Sequence, residues 1–199
     1  MLSVFFVLVG VVATTRLVEL AISRRHRREL DRLGARSIAE PGFAVMVVLH
    51  VSVLAGSVVE ALVARRSVPV GLAALAFTGV LAANALRLAA IRSLGRHWNV
   101  RIVDSTSLGV VDTGPYRFIR HPNYVAVFTE LLFLPLVQSA WITAALGAVA
   151  HLFVLGRRIA LEEAVLFTDP RYAAVMGTKP RFFPRFRRRN SPVVRAERA

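Results

Sequence analysis

Residues 124–156 read YVAVFTELLFLPLVQSAWITAALGAVAHLFVLG. As one helix this run would be some 50 Å long at about 1.5 Å per residue. A bilayer's hydrocarbon is only about 30 Å thick and asks for about 20 apolar residues. The run is therefore too long for one crossing and tight for two. Its only interruption falls near Pro135, Gln138 and Ser139, where a proline ends a helical ladder and polar groups need company. We read two helices, the first short or tilted, folded back over Leu136 to Ala140.

Working outward, Leu2–Ile22, Phe43–Val63 and Val68–Ile91 are three further apolar spans. The first opens without a basic residue and shows no small-residue cleavage site, which is the pattern of an anchored span and not of a removed signal peptide. Charge placement tests the count. Six Arg fall in Ser23–Arg36, six in Arg87–Arg120, and eleven Lys plus Arg from Arg157 onward, whereas Arg65 and Arg66 stand alone between spans two and three. Five spans put all three rich segments on one side; four would split them. Because basic loops stay cytoplasmic, the expected topology has the N-terminus outside and the C-terminus inside. The fold class is thus an all-α integral membrane protein of about five transmembrane helices, with a hairpin of spans four and five and its basic segments on the cytoplasmic face.

Composition agrees. Hydrophobic residues make up 55% of the chain and charged residues 19%, with a mean hydropathy of +0.55. The net charge of +14 would suit nucleic acid, but bunched apolar runs leave no soluble scaffold for a groove, and basic loops beside anionic headgroups explain it. The expected partners are membrane lipids and a lipid-like small molecule, with no nucleic acid. There is no cysteine, which excludes disulfides and thiolate chemistry, and no metal site is expected. The expected organisation is residues 1–92 as a three-helix membrane part, 93–186 as a part that holds the hairpin and its flanking polar segments, and 187–199 as a basic flexible tail.

Two polar segments are longer than connectors need to be. One spans Ser93 to Asn123 and contains Val111-Asp112-Thr113-Gly114-Pro115-Tyr116 followed by Arg120-His121-Pro122-Asn123-Tyr124; the other runs from Arg157 through Glu162-Glu163 to Tyr172 and Pro184. They lie at opposite ends of the hairpin, which brings them together. By themselves the residues allow plainer readings. His121 can position a loop, and Glu162 and Glu163 can form a solvated helix face beside Arg157 and Arg158. Glu130, inside span four, is costly in hydrocarbon; a general base for a hydroxyl substrate and a partner for Arg87 are both open. Arg16 and Glu19 read as an intrahelical pair. His50 and His151 admit a pair of haem ligands, although lone histidines on apolar helices are more often packed and hydrogen-bonded.

The two quoted motifs, together with Arg158-x-x-x-Glu162-Glu163-x-x-Leu166 and Tyr172 downstream, resemble the isoprenylcysteine carboxyl methyltransferase family over residues 94–186. The His-Pro-Asn-Tyr turn alone also resembles membrane sterol reductases, so an NADPH-dependent reductase is the alternative. The resemblance implies an S-adenosylmethionine-dependent O-methyltransferase with a lipophilic carboxylate or hydroxyl acceptor and a cofactor site unlike a soluble dinucleotide fold. The chain indeed has no Gly-x-Gly-x-x-Gly after a strand. Carried over by motif, His121, Pro122, Asn123 and Tyr124 line the cofactor, beside Tyr116 and the strip Leu108, Gly109, Val110 and Val111. At Leu108 the contact would be backbone. Glu162 would hold a polar group of the cofactor and Arg158 would face the acceptor. Bacterial relatives resembling Asn123–Pro135 act on polyketide hydroxyls, which gives Glu130 a catalytic role by the same resemblance.

Overall fold

The structure is a computed structural model that describes residues 2–184; the proposed tail at 187–199 lies outside them. Four helices are long and apolar enough to cross a membrane, α1 (Leu2–Arg32), α2 (Phe43–Ala64), α3 (Val70–Leu94) and α5 (Trp141–Leu166). Between the last two stands α4 (Pro122–Leu136), apolar but only 15 residues long, about 22 Å at the helical rise. A short α6 (Pro170–Met176) follows α5. The integral-membrane, all-α reading holds. The helices extend past the spans read from hydropathy, α1 and α5 furthest: α1 runs on to Arg32 and α5 to Leu166, so the basic stretch after Ile22 is helical and not a loop.

Local chemistry sets the boundaries. Arg65 takes a left-handed conformation (φ 42°) that closes α2, and Pro69 precedes α3. Pro122 opens α4 at its first position, where a missing N–H costs nothing. Pro135 lies in its last turn. The fold-back is the one read from the sequence, with α4 ending at Leu136 and α5 beginning at Trp141. Asp169 caps α6, its carboxylate accepting from Arg171 N at 2.8 Å.

Large apolar side chains point outward along every long helix, among them Val7, Val48, Leu75 and Phe153. In water so much exposed apolar surface is untenable; in lipid it is the solvent-facing side. Inside, Phe5, Val80, Leu134 and Val137 form the apolar core at the end away from the basic segments. Small residues let the helices approach. A Cβ added at Gly79 of α3 would meet Phe133 Cγ of α4 at 2.6 Å, and one at Gly147 of α5 would meet Val53 Cγ2 of α2 at 2.7 Å. Gly79→Val is therefore expected to destabilise the bundle by about 1–3 kcal/mol through overpacking, read as a lowered midpoint in a denaturing-detergent titration. An unchanged midpoint would show that this contact is not tight.

The fold-back turn is held by charges from elsewhere. The Glu60 carboxylate, from α2, accepts from Thr143 N and Thr143 Oγ1, each at 2.8 Å, and from Ile142 N at 3.2 Å. Arg66 pairs with Glu60 and donates to the Ser139 carbonyl at 2.8 Å. The free N–H groups that begin α5 are thereby satisfied, a need that any helix start has and that hydrocarbon makes severe.

At the opposite end, the segments after α1, after α3 and after α5 converge. A two-residue antiparallel ladder joins β1 (Arg36–Ser37) to β2 (Val103–Asp104). The backbone N–H groups of Arg120 and His121 donate to the carbonyls of Pro180 and Arg181, both at 3.0 Å. The two polar segments do meet, and the hairpin is what joins them.

Candidate active site

One cavity of about 480 Å³ runs from this converged end down between α1, α2, α4 and α5. A stripe of α5 forms one wall: His151, Leu155, Arg158 and Glu162 all line it, spaced as one face of a helix. The spacing carries the wall from the apolar depth of the bundle to its polar mouth.

At the mouth, Tyr124 Oη donates to Glu162 Oε2. Tyr116 and Tyr172 stand nearby, both buried. Burial first, and then the Glu162 charge, push both phenols above their ordinary range, so they stay neutral and offer aromatic faces. Glu163, next to Glu162, turns the other way. It accepts from His121 Nε2 at 3.0 Å and from Arg181 Nη2 at 2.5 Å. That contact fastens the helix to the turn before α4 and to the C-terminal segment. Lys179 adds a second tie, pairing with Asp112 and donating to the Tyr116 carbonyl at 2.9 Å.

Half-way down, Arg158 holds three oxygen partners with three of its five N–H donors. Its Nε donates to Tyr124 Oη at 2.8 Å, its Nη2 to the Val100 carbonyl at 2.5 Å, and its Nη1 to Glu40. Glu40 lies in the connection between α1 and α2, and burial raises its carboxyl above the usual range despite Arg158. Deeper still, Arg16 of α1 donates to Glu19 Oε2 at 2.5 Å and to Glu130 Oε2 at 2.8 Å, and Arg87 Nε donates to Glu19 Oε1 at 2.7 Å. Two cations and two anions thus close a neutral cluster, with Asn84 accepting from Arg16 at 3.3 Å.

Of the residues picked out from the sequence, Gly109, Val110, Val111, Tyr116, His121, Asn123, Tyr124, Arg158 and Glu162 line the cavity. Leu108, Pro122 and Glu130 do not. Leu108 ends a 3-10 turn and Gly109 follows it at φ 126°, a conformation only glycine takes readily; the backbone reaches the cavity there through Gly109. Pro122 is buried as the first residue of α4. Glu130 lies behind Arg16, which screens it from the cavity and is its partner in place of Arg87. Arg87 instead takes Glu19, so the Arg16–Glu19 pair read from one helix is half of a four-residue cluster. His50 and His151 do face each other, with ring centroids 5.6 Å apart, and both line the cavity. Among the described residues no cluster of metal-ligating side chains occurs.

Sequence reasoning missed Glu40, Met46, Trp98 and Val100. Glu40 had one signal: it is an acidic residue directly before Pro41, just past a basic stretch. The others look like ordinary loop and helix residues until the chain is folded.

The residues present fit a nucleoside-like group. Asn123 and Trp98 both line the cavity, and Asn123 Oδ1 and Trp98 Nε1 are buried without a hydrogen-bond partner among the described residues, leaving one acceptor and one donor unused at its wall. Aromatic faces and the Glu162 carboxylate complete a site for a group that combines a cation with an amide-like ring.

Comparison with known proteins agrees with the geometry. Residues 74–168, from within α3 to just past α5, match the isoprenylcysteine carboxyl methyltransferase family. The chain is 27% identical over 165 residues to the uncharacterized protein YpbQ of Bacillus subtilis, covering 81% of this chain and 96% of that one. It is 29% identical over 156 residues to an uncharacterized protein of Haemophilus influenzae, covering 76% and 88%. The matched segment, just under half of the chain, contains Tyr116, Tyr124, the His121 turn and the α5 stripe, and over it this chain is similar to the isoprenylcysteine carboxyl methyltransferase family.

Proposed function

We propose that the chain is an S-adenosylmethionine-dependent O-methyltransferase whose acceptor is a lipophilic carboxylate or hydroxyl compound. The carrying observation is that one cavity joins a polar, aromatic mouth to a depth lined by apolar helices. The cofactor would come from the basic end, which the positive-inside rule assigns to the cytoplasm, and the acceptor from the bilayer. The catalytic part of the chain is residues 93–186, roofed and walled by the first three helices.

When bound, the cofactor supplies an electrophilic methyl group on a sulfonium. Tyr116 and Tyr124 present aromatic faces to a cation and Glu162 a carboxylate. Asn123 Oδ1 would accept a hydrogen bond from an N–H of the cofactor and Trp98 Nε1 would donate one, with Val110 and Val111 as apolar wall beside them. Leu108 and Pro122 act indirectly, by shaping the turns that carry Gly109 and Asn123. Arg158 stands where polar mouth meets apolar depth, and its fixed guanidinium orients the acceptor oxygen. Displacement at carbon needs alignment above all, and holding both reactants in one closed cavity supplies it. A carboxylate acceptor arrives ionised; a hydroxyl must lose its proton to a base.

S-adenosylhomocysteine should bind the purified protein in calorimetry, and His121→Ala or Glu162→Ala should each weaken it by about ten- to a hundredfold, the worth of a hydrogen bond to a charged group. If the unaltered protein shows no affinity, the reading fails. Stabilisation by NADPH in its place would point to the reductase chemistry of the alternative.

A further inference from the structure

The proposed function uses the mouth and middle of the cavity and leaves its deep end without a task. There the structure puts two histidines where apolar side chains would pack more cheaply. His151 is 2% exposed, and neither of its ring nitrogens has a hydrogen-bond partner among the described residues. Its ring stacks on Phe128 at 6.3 Å and meets the edge of His50 at 5.6 Å. His50 is held by Met46, whose carbonyl lies 2.7 Å from Nδ1. Val127 and Leu54 are among the neighbours along the same cavity wall.

A neutral imidazole carries one donor and one acceptor, and leaving both unpaired at hydrocarbon depth is costly. Packing alone does not account for this choice, since a Leu or Phe would fill the same space without that cost. His151 precedes Arg158 by two helical turns, about 10 Å along α5. An acceptor reaching from Arg158 into the bundle therefore passes His151 at a fixed distance from its reacting end.

We infer that His151, backed by His50, is a recognition site for a second oxygen of the acceptor, a hydroxyl carried in its apolar body about two helical turns from the group that is methylated. The hydroxyl donates to one imidazole nitrogen, and plain hydrocarbon at that position leaves the ring unsatisfied. The inference rests on the methyltransferase reading for the identity of the acceptor, but the hydrogen bond is tested without turnover. His151 positions the acceptor; it takes no part in bond making at the methyl group.

Two matched probes test it, octadecanoate and 10-hydroxyoctadecanoate, bound to the full chain in nanodiscs. The hydroxylated probe should bind about three- to tenfold more tightly, the range of one neutral hydrogen bond. Phe at 151 (His151→Phe) should erase that preference, and His151→Asn, which keeps a donor and an acceptor, should retain most of it. In protein labelled with 15N-histidine, the imidazole signal missing from His151→Phe should move with the hydroxylated probe and stay still with the plain one. Equal affinities in the unaltered protein, or a preference that survives His151→Phe, overturn the inference. If His151→Phe does not fold, the Asn variant and the unaltered protein's probe preference decide. S-adenosylhomocysteine affinity, measured on the same samples, should be unaffected by either variant; its absence from the unaltered protein would sink the methyltransferase reading and leave the probe result to stand by itself.

Discussion

Arg158→Met is expected to abolish turnover and to destabilise the protein by about 3–5 kcal/mol, the cost of breaking a buried ion pair from one side. The side chain holds three partners at once: the Tyr124 hydroxyl, the Val100 carbonyl and the Glu40 carboxylate. Methionine fills much of the volume and satisfies none of them. Glu40, whose side chain is 5% exposed, would be left as an uncompensated buried charge. Lysine keeps the charge but offers a point in place of a planar fork, so Arg158→Lys should fold and still lose at least about a hundredfold in kcat, on the scale of a lost positioning contact. Adding Glu40→Leu to Arg158→Met should restore most of the stability and none of the activity. Detergent-denaturation midpoints and methyl transfer from labelled cofactor read the two effects separately. Normal turnover in Arg158→Met would remove Arg158 from the mechanism.

The second large effect is at Glu130. Glu130→Leu leaves Arg16 and Arg87 sharing Glu19 alone, a net positive charge at hydrocarbon depth, and should cost about 3–5 kcal/mol. Glu130→Gln keeps an acceptor for Arg16 and should cost less. Arg16→Met with Glu130→Leu removes one charge of each sign and should recover to within about 1 kcal/mol of the unaltered protein, as replacing a buried pair by apolar residues often does. A general base would behave otherwise. In that case Glu130→Gln would lose activity about a hundredfold or more with its stability little changed, whereas a member of the charge cluster loses activity only as the fold loosens. The geometry favours the cluster, because Arg16 stands between Glu130 and the cavity.

How far the sequence reaches is clearest in the hairpin. Hydropathy and one proline were enough to place its turn between Leu136 and Ala140, since chain length against bilayer thickness is a strong constraint. The contact of the two polar segments followed from that turn. Side-chain partners were less legible. Glu162 and Glu163 are adjacent in sequence and take different jobs, one facing the cavity and one stapling His121 and Arg181, because neighbours on a helix point about 100° apart. For Glu130 the sequence leaves a general base and a pairing with Arg87 both open; the partner in the fold is Arg16, set by helix rotation that periodicity does not fix in a helix apolar nearly all round. Glu40 entered only through a long-range pairing with α5, which no local pattern announces.

The short α4 has a mechanical consequence. Its 15 residues reach about 22 Å, some 8 Å less than an average hydrocarbon layer, while its neighbours cross fully. α5 begins at the fold-back turn and crosses fully, and α2 ends beside it, with Arg66 donating to the Ser139 carbonyl, so the turn lies level with its neighbours' ends and the shortfall falls at the other end of α4, at Pro122. The His121 turn is thereby set about 8 Å inside the depth that a full span would reach. The mouth of the cavity is a recess, entered from the basic end through the segments that converge over it.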